Sequence, residues 1–178
     1  ELLNEVEYTL VQGSEELEIA ALCYDSRKVV PGSVYVCIPG TVVDGHDFIE
    51  KAIQAGASAI VVSKDVIVPN EITVIQVADA RLGLALMSAA FFQHPAKQLK
   101  VIGITGTKGK TTTVYMMKSI LENAGYKVGL MGTIETLIGQ ERIPAHNTTP
   151  ESYVIQENFS KMLEAGCDIC VMEVSSQG

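Results

Sequence analysis

Leu-Lys-Val-Ile-Gly-Ile-Thr-Gly-Thr-Lys-Gly-Lys-Thr-Thr-Thr, residues 99–113, joins three kinds of sequence in one run. Residues 99–104 are an apolar run of strand length. Residues 106–111 are Gly-rich and end in Lys-Thr. From there Val114, Met117 and Leu121 recur at helical spacing, with Gly125 as the stop. A strand, a Gly-rich turn and a helix opening on Lys110 and Thr111 make a phosphate cradle. Glycines let main-chain N–H groups turn toward an anion, and a helix N-terminus adds about half a positive charge. Lys110 is then expected to reach the β- and γ-phosphates, and Thr111 to offer its hydroxyl to Mg²⁺. The glycines miss the usual spacing: Ile104 stands where the first would fall, Gly103 is one place off, and Gly106 lies inside the loop. Nor do they make a dinucleotide fingerprint, because Lys110 follows Gly109 at once. The competing interpretation is an ordinary strand-to-helix turn that contains glycines.

The chain has 178 residues, room for one or two domains at about 150 residues each. Hydrophobic residues make up 47%, enough for a packed core, while a net charge of −8 argues against nucleic acid as the main partner. No apolar run approaches the ~18 residues of a membrane span, so membrane insertion is not expected. The acidic start, Glu-Leu-Leu-Asn-Glu-Val-Glu, does not look like a signal peptide. Nothing in the composition sets an oligomeric state. Cys167 and Cys170 form a C-x-x-C, a spacing used by metal and redox sites. They fall in a strand-like run, where residues three apart face opposite ways, and no second such pair exists. With Cys23 and Cys37, they are expected to be reduced core thiols of a cytoplasmic protein.

The rest of the chain is read outward from the loop. Residues 1–12 are expected to be a short helix or irregular. Residues 17–22 are a short apolar run, Pro31-Gly32 is a turn, and 33–38 is a strand. A loop over 41–45 leads to a helix from His46 to Ala55. Strands follow at 59–63 and 73–77. Asp79 can cap a helix whose apolar face is Leu82, Leu86, Ala89 and Phe92. The polar residues 94–98 are the expected seam, with domains over 1–97 and 98–178. Beyond the phosphate-loop helix, 127–131 is a strand and 132–148 a long connection. The next helix begins near Pro150. Either Thr149 is its cap, or Thr148 pairs with Glu151 in a capping box. Ile155, Phe159, Met162 and Leu163 mark its buried side, and 167–174 is the last strand. The β-α-β-α-β order predicts a parallel sheet covered by helices. Ligands of such sheets bind beyond the carboxyl ends of the strands. The loop, Asn147-Thr148-Thr149 and Glu173 to Ser176 are expected to converge there. The expected fold class is α/β: a mixed N-terminal domain followed by the first part of a P-loop parallel-sheet domain.

Thr-Gly-Thr-Lys-Gly-Lys-Thr-Thr-Thr at 105–113 resembles the ATP loop of the Mur ligases, which build the peptide stem of bacterial peptidoglycan. Folylpolyglutamate synthetases share that loop. Asp25-Ser26-Arg27, Pro31-Gly32 and Asp44-Gly45-His46-Asp47-Phe48 look like the family's N-terminal UDP-binding domain. Asn147-Thr148-Thr149-Pro150-Glu151 and Glu173-Val174-Ser175-Ser176 are similar to the members that add the third stem residue. The resemblance covers nearly the whole chain. It implies an ATP- and Mg²⁺-dependent ligase that joins meso-diaminopimelate or L-lysine, a diamino acid, to UDP-MurNAc-L-Ala-D-Glu through an acyl phosphate. It further implies that the chain is a fragment, inactive alone, without the domain that selects the amino acid and without the lysine the family carbamylates. Residue by residue, it implies that Gly106, Thr107, Lys108, Gly109, Lys110, Thr111 and Thr112 bind ATP. Thr111 and Glu173 would hold the metal, and Lys110 and Glu173 would be catalytic. Ser26, Thr41, Asn147, Thr148, Thr149 and Ser175 would hold the UDP-sugar dipeptide. Two positions depart from the pattern: Lys108, where Asn is common, and Gln177, where many members carry a His that can titrate. The competing functions are a terminal-dipeptide-adding Mur ligase and a non-catalytic nucleotide-binding module. A GTPase-like module would want Asn-Lys-x-Asp, which these residues lack.

Overall fold

The structure, a computed structural model, describes residues 1–40 and 43–175. They fall into two compact units, Glu1–Phe91 and Phe92–Gly178. In the first, the elements in order are β1 (Tyr8–Gln12), β2 (Ala21–Cys23), β3 (Ser33–Val36), α1 (Ile49–Gln54), β4 (Ala57–Val62), β5 (Thr73–Val77) and α2 (Ala80–Phe91). The sheet order is β1-β5-β4-β3-β2. All neighbours are parallel except β1, which runs antiparallel along β5 at the edge. The β-branched runs of β3 and β4 are buried almost throughout, as parallel strands covered on both faces must be. Tyr35, Ile60, Val62 and Val74 pack there against Ile49 and Ala52 of α1.

Three expectations for this unit are corrected. Residues 8–12 are a strand, neither helical nor irregular. Their burial alternates, and their partner β5 lies far along the sequence, so no local pattern reports the pairing. The helix expected from His46 begins as a 3-10 turn over Gly45–Phe48, and the α-helix starts only at Ile49. Asp79 does cap α2, accepting from the N–H groups of Arg81 (2.8 Å) and Leu82 (3.1 Å). The buried face, however, is Ala80, Gly83, Leu84, Met87 and Ser88, while Leu82 is 57% exposed. Two apolar stripes run along this helix. The buried stripe is the one that carries Leu84 and Met87, both fully buried, and Gly83 beside them faces the Val77 side chain of β5.

Past α2, Gln93 and His94 take left-handed φ angles of 59° and 52° ahead of Pro95. The second unit then gives β6 (Lys100–Ile104), α3 (Lys110–Asn123), β7 (Val128–Met131), β8 (Glu135–Ile138), β9 (Glu141–Pro144), α4 (Ser152–Glu164) and β10 (Ile169–Glu173). The sheet order is β6-β10-β7-β8-β9. The first three strands are parallel, and β8 and β9 continue antiparallel. The sheet is therefore mixed, and the connection expected over 132–148 contains a hairpin turning at Gly139. Val114 of α3 packs on Leu130 and Val171, all fully buried, each contributing roughly 1.5–3 kcal/mol of burial. On the other face, Phe159 and Met162 of α4 pack among Met131, Cys170 and Met172. The helix starts later than expected: Glu151 is the cap, accepting from Ser152 N–H, so neither Thr149 nor a Thr148–Glu151 box performs that role. All four cysteines are free and buried. Because β10 begins only at Ile169, Cys167 lies in the preceding turn and shares one apolar cluster with Cys170, so the opposite-face argument does not apply. Burial pushes the Cys170 thiol up to about 12. Among the described residues no helix is long and apolar enough to cross a membrane.

Candidate functional site

The parallel strands β6, β10 and β7 end side by side, with β10 in the middle. Their carboxyl tips lead into the phosphate loop, Val174-Ser175 and Gly132-Thr133 respectively. Gly109 takes φ +82° ahead of α3, and no side chain caps that helix. The first-turn N–H groups are thus left to an incoming anion. A Cβ at Gly109 would meet nothing within 4 Å, so its glycine is required by conformation and not by crowding. Gly106, Thr107, Lys108 and Thr112 are exposed, while Lys110 and Thr111 are half-buried. Lys110 Nζ donates to the Gly106 carbonyl at 2.7 Å, folding the lysine back over its own loop.

Glu173 ends β10 and is 1% exposed. Its carboxylate accepts three hydrogen bonds: Thr133 N–H to Oε1 at 3.0 Å, and the Thr133 and Thr111 hydroxyls to Oε2, each at 3.1 Å. Gly132 must be glycine for this approach, since a Cβ there would lie 2.8 Å from Oε1. The Thr111 hydroxyl and the Glu173 carboxylate are hard oxygen donors directed at each other beside a phosphate-type loop. That donor set fits Mg²⁺, which takes few protein ligands and fills its shell with water and phosphate oxygens.

The segment after the hairpin closes on the same tips. Thr149 Oγ1 donates to the Glu173 carbonyl (3.2 Å) and accepts from Ser175 N–H (2.9 Å). Thr148 Oγ1 lies 3.1 Å from Thr133 Oγ1. Asn147 precedes them and is exposed. The structure thus brings together the loop, Thr148, Thr149, Ser175 and Glu173 in the second unit. Thr133, which touches both Glu173 and Thr148, escaped the sequence analysis. Its only signal is its place just past the tip of a strand beside β10.

Ser26 belongs to the first unit and is buried in a 3-10 turn after β2, capped by Asp25. Thr41 and Gln177 lie outside the described residues, as does Ser176. After β3, Asp44 accepts from His46 N–H (2.9 Å), from His46 Nδ1 (2.6 Å) and from Lys64 Nζ (2.7 Å). Ser63 N–H donates to His46 Nε2 at 3.2 Å, which makes the imidazole neutral with its proton on Nδ1. His46 is thereby a structural brace. A cleft of about 520 Å³ opens nearby on this unit, lined by Tyr8, Ser63, Gln76, Asp79, Leu82 and Leu86 among others; Ser26 is not part of its lining.

Both turn carboxylates sit below the usual range. The Arg27 side chain holds Asp25 at about 2. The Lys64 ammonium, then the His46 N–H groups, hold Asp44 lower still. A depressed carboxylate stabilises the fold above its unfolded pKa of about 4, and that contribution is lost as pH falls toward the folded value. The first unit is therefore expected to lose stability as pH falls from about 4 toward 2. Circular dichroism melts across that range check it, and Asp44→Asn should flatten the dependence.

The comparisons with known proteins bear on this geometry. The pattern described as Mur ligase family, catalytic domain, matches residues 18–107, half of the chain. The Mur ligase middle domain matches residues 104–178. The chain belongs to the Mur ligase family. The UDP-N-acetylmuramoyl-L-alanyl-D-glutamate--2,6-diaminopimelate ligase of Clostridium perfringens is 49% identical over 175 residues, covering 98% of this chain and 36% of that protein. A ligase with the same description, numbered 1, from Clostridium acetobutylicum is 51% identical over 178 residues, with the same coverage of 98% and 36%. A solved structure of a UDP-N-acetylmuramoyl-L-alanyl-D-glutamate--2,6-diaminopimelate ligase superposes with a TM-score of 0.75 at 24% identity. It covers 90% of this chain and 32% of that one, and carries the α/β fold alone. The chain spans about a third of the length of the curated relatives it matches. In this Mur ligase chain the two matched regions meet at residues 104–107, the start of the phosphate loop.

Proposed function

We propose that this chain supplies the nucleotide- and sugar-peptide-binding parts of an ATP-dependent ligase of peptidoglycan precursor synthesis. Residues 1–97 form its UDP-binding domain and 98–178 the start of its ATP-binding domain. The observation that carries the proposal is Glu173. It is joined through Thr111 to the loop, and through Thr133 and its own carbonyl to Thr148 and Thr149. One buried carboxylate thus stands between a phosphate cradle and a polar segment able to hold a second ligand.

In the proposed reaction, a carboxylate of UDP-MurNAc-L-Ala-D-Glu attacks the γ-phosphorus of ATP, and ADP leaves. The amine of a diamino acid then displaces phosphate from the acyl phosphate. The clostridial relatives are named for 2,6-diaminopimelate, which supports a diaminopimelate over L-lysine. Such phosphoryl transfer is mostly positioning and charge neutralisation. The loop N–H groups of residues 106–112 hold the phosphates, and Lys110 leaves the Gly106 carbonyl to reach them. Thr111 and Glu173 hold Mg²⁺, which supplies positive charge to the phosphate oxygens. Asn147, Thr148, Thr149 and Ser175 orient the dipeptide, and Ser26 and Thr41 contact the uridine end. The work belongs to the cytoplasmic phase of wall building, on which cell shape and division depend.

Thermal shift tests this proposal on the chain itself. Saturating magnesium-ATP, and separately UDP-muramoyl dipeptide, should each raise the melting temperature by about 5 °C, and GTP should leave it unchanged. A shift with GTP, or none with either expected ligand, overturns it.

A further inference from the structure

We infer that Thr133 couples cation binding at Glu173 to the hydrogen bond that Thr148 offers a ligand; the inference rests on the proposed function above. A threonine hydroxyl has one proton and two lone pairs. Thr133 Oγ1 stands 3.1 Å from two acceptors, Glu173 Oε2 and Thr148 Oγ1, and its proton satisfies one at a time. With no cation, the anionic Oε2 takes that proton and the Thr111 proton as well. Thr148 then donates inward to Thr133 and presents only lone pairs outward.

A cation at Oε2 reverses the chain. Positive charge repels both hydroxyl protons, Thr111 turns a lone pair to the metal, and Thr133 turns its proton to Thr148 Oγ1. The Thr148 proton is then released to point outward at an acidic ligand. Meanwhile the Thr133 N–H keeps its 3.0 Å hold on Oε1, so the carboxylate stays in place while the protons rotate. Between the two states only hydroxyl protons have to turn, and the Thr148 proton released in the second is left for solvent or a ligand to accept. Thr133 is thus a positioning residue. Its hydroxyl makes the sugar-dipeptide bind more tightly once magnesium is in place, and by reciprocity the sugar-dipeptide tightens magnesium.

Calorimetric titration of UDP-muramoyl dipeptide into the chain tests this, once with ADP plus magnesium and once with ADP plus a chelator. The wild-type chain should show at least roughly fivefold tighter dipeptide binding with magnesium, the lower end of common couplings. Thr133→Val keeps the shape and the N–H but not the hydroxyl. It should reduce that gain to less than about twofold while still binding ADP, and Thr133→Ser should restore it. Thr148→Val removes the other end of the relay and should lose the gain on top of a lower starting affinity. A full gain in Thr133→Val, or no gain in a wild-type chain that binds both ligands, overturns the relay alone. A wild-type chain that binds neither ligand overturns the ligase proposal, and the relay with it.

Discussion

Glu173→Gln is expected to cost the chain about a hundredfold in affinity for magnesium-bound ATP while leaving the fold intact. The buried carboxylate sits among three donors. A glutamine can keep Oε1 for the Thr133 N–H and place its amide where the two hydroxyls turn to accept. Hydrogen bonding survives and the charge does not. Removing one partner of a desolvated charge pair costs about 2–5 kcal/mol, and a hundredfold is about 2.7 kcal/mol. Calorimetry with and without magnesium separates the effects: the variant should bind ATP equally in both. Glu173→Ala is the contrast. It strands the Thr133 N–H and opens a cavity, at about 1–3 kcal/mol for an orphaned buried donor. That should lower the melting temperature by several degrees even without ligand. If Glu173→Gln keeps the magnesium effect, the cation is held elsewhere.

Lys110→Ala is expected to weaken ATP binding at least as much, with or without magnesium. The wild-type lysine is held by the Gly106 carbonyl, so it already lies over the loop proposed to take the phosphates. Its loss leaves the helix N-terminus and main-chain N–H groups as the remaining positive potential, worth only about 0.3–1 kcal/mol near a helix end. The fold should be indifferent, because the lysine's partner is the carbonyl of an exposed loop glycine. Equal melting temperatures for variant and wild type, together with a loss of about a hundredfold in ATP affinity, is the expected pair of results. Unchanged affinity would remove Lys110 from the phosphate site.

What could be read in the sequence follows from how local each signal is. The turn from β6 into α3, β5 and the cap of α2 are each specified within a few neighbouring residues, and the structure has these elements where the pattern puts them. β1 escaped because its strand character comes from β5, far along the chain. The β8–β9 hairpin escaped because its outer strand, Glu-Arg-Ile-Pro, is a polar edge without clean alternation. The face of α2 is not decided locally: the helix carries two apolar stripes, and the packed sheet selects the one with Leu84 and Met87 over the one with Leu82. At the site, Lys110, Thr111 and Glu173 announce themselves by motif or by position after a strand. Thr133 belongs to no motif, and its importance arises only when β7 and β10 lie side by side.

Thr149 has a chemical consequence of its own. Its proton is committed to the Glu173 carbonyl, and one of its lone pairs already receives the Ser175 N–H. The spare valence of that oxygen is a single lone pair, attractive to an amide or hydroxyl and repellent to a carboxylate. An acidic guest at these strand tips must therefore turn a neutral donor, such as a peptide nitrogen, toward residue 149 and direct its negative end away. A small oxygen locked into the backbone would thus dictate which way round the visitor lies.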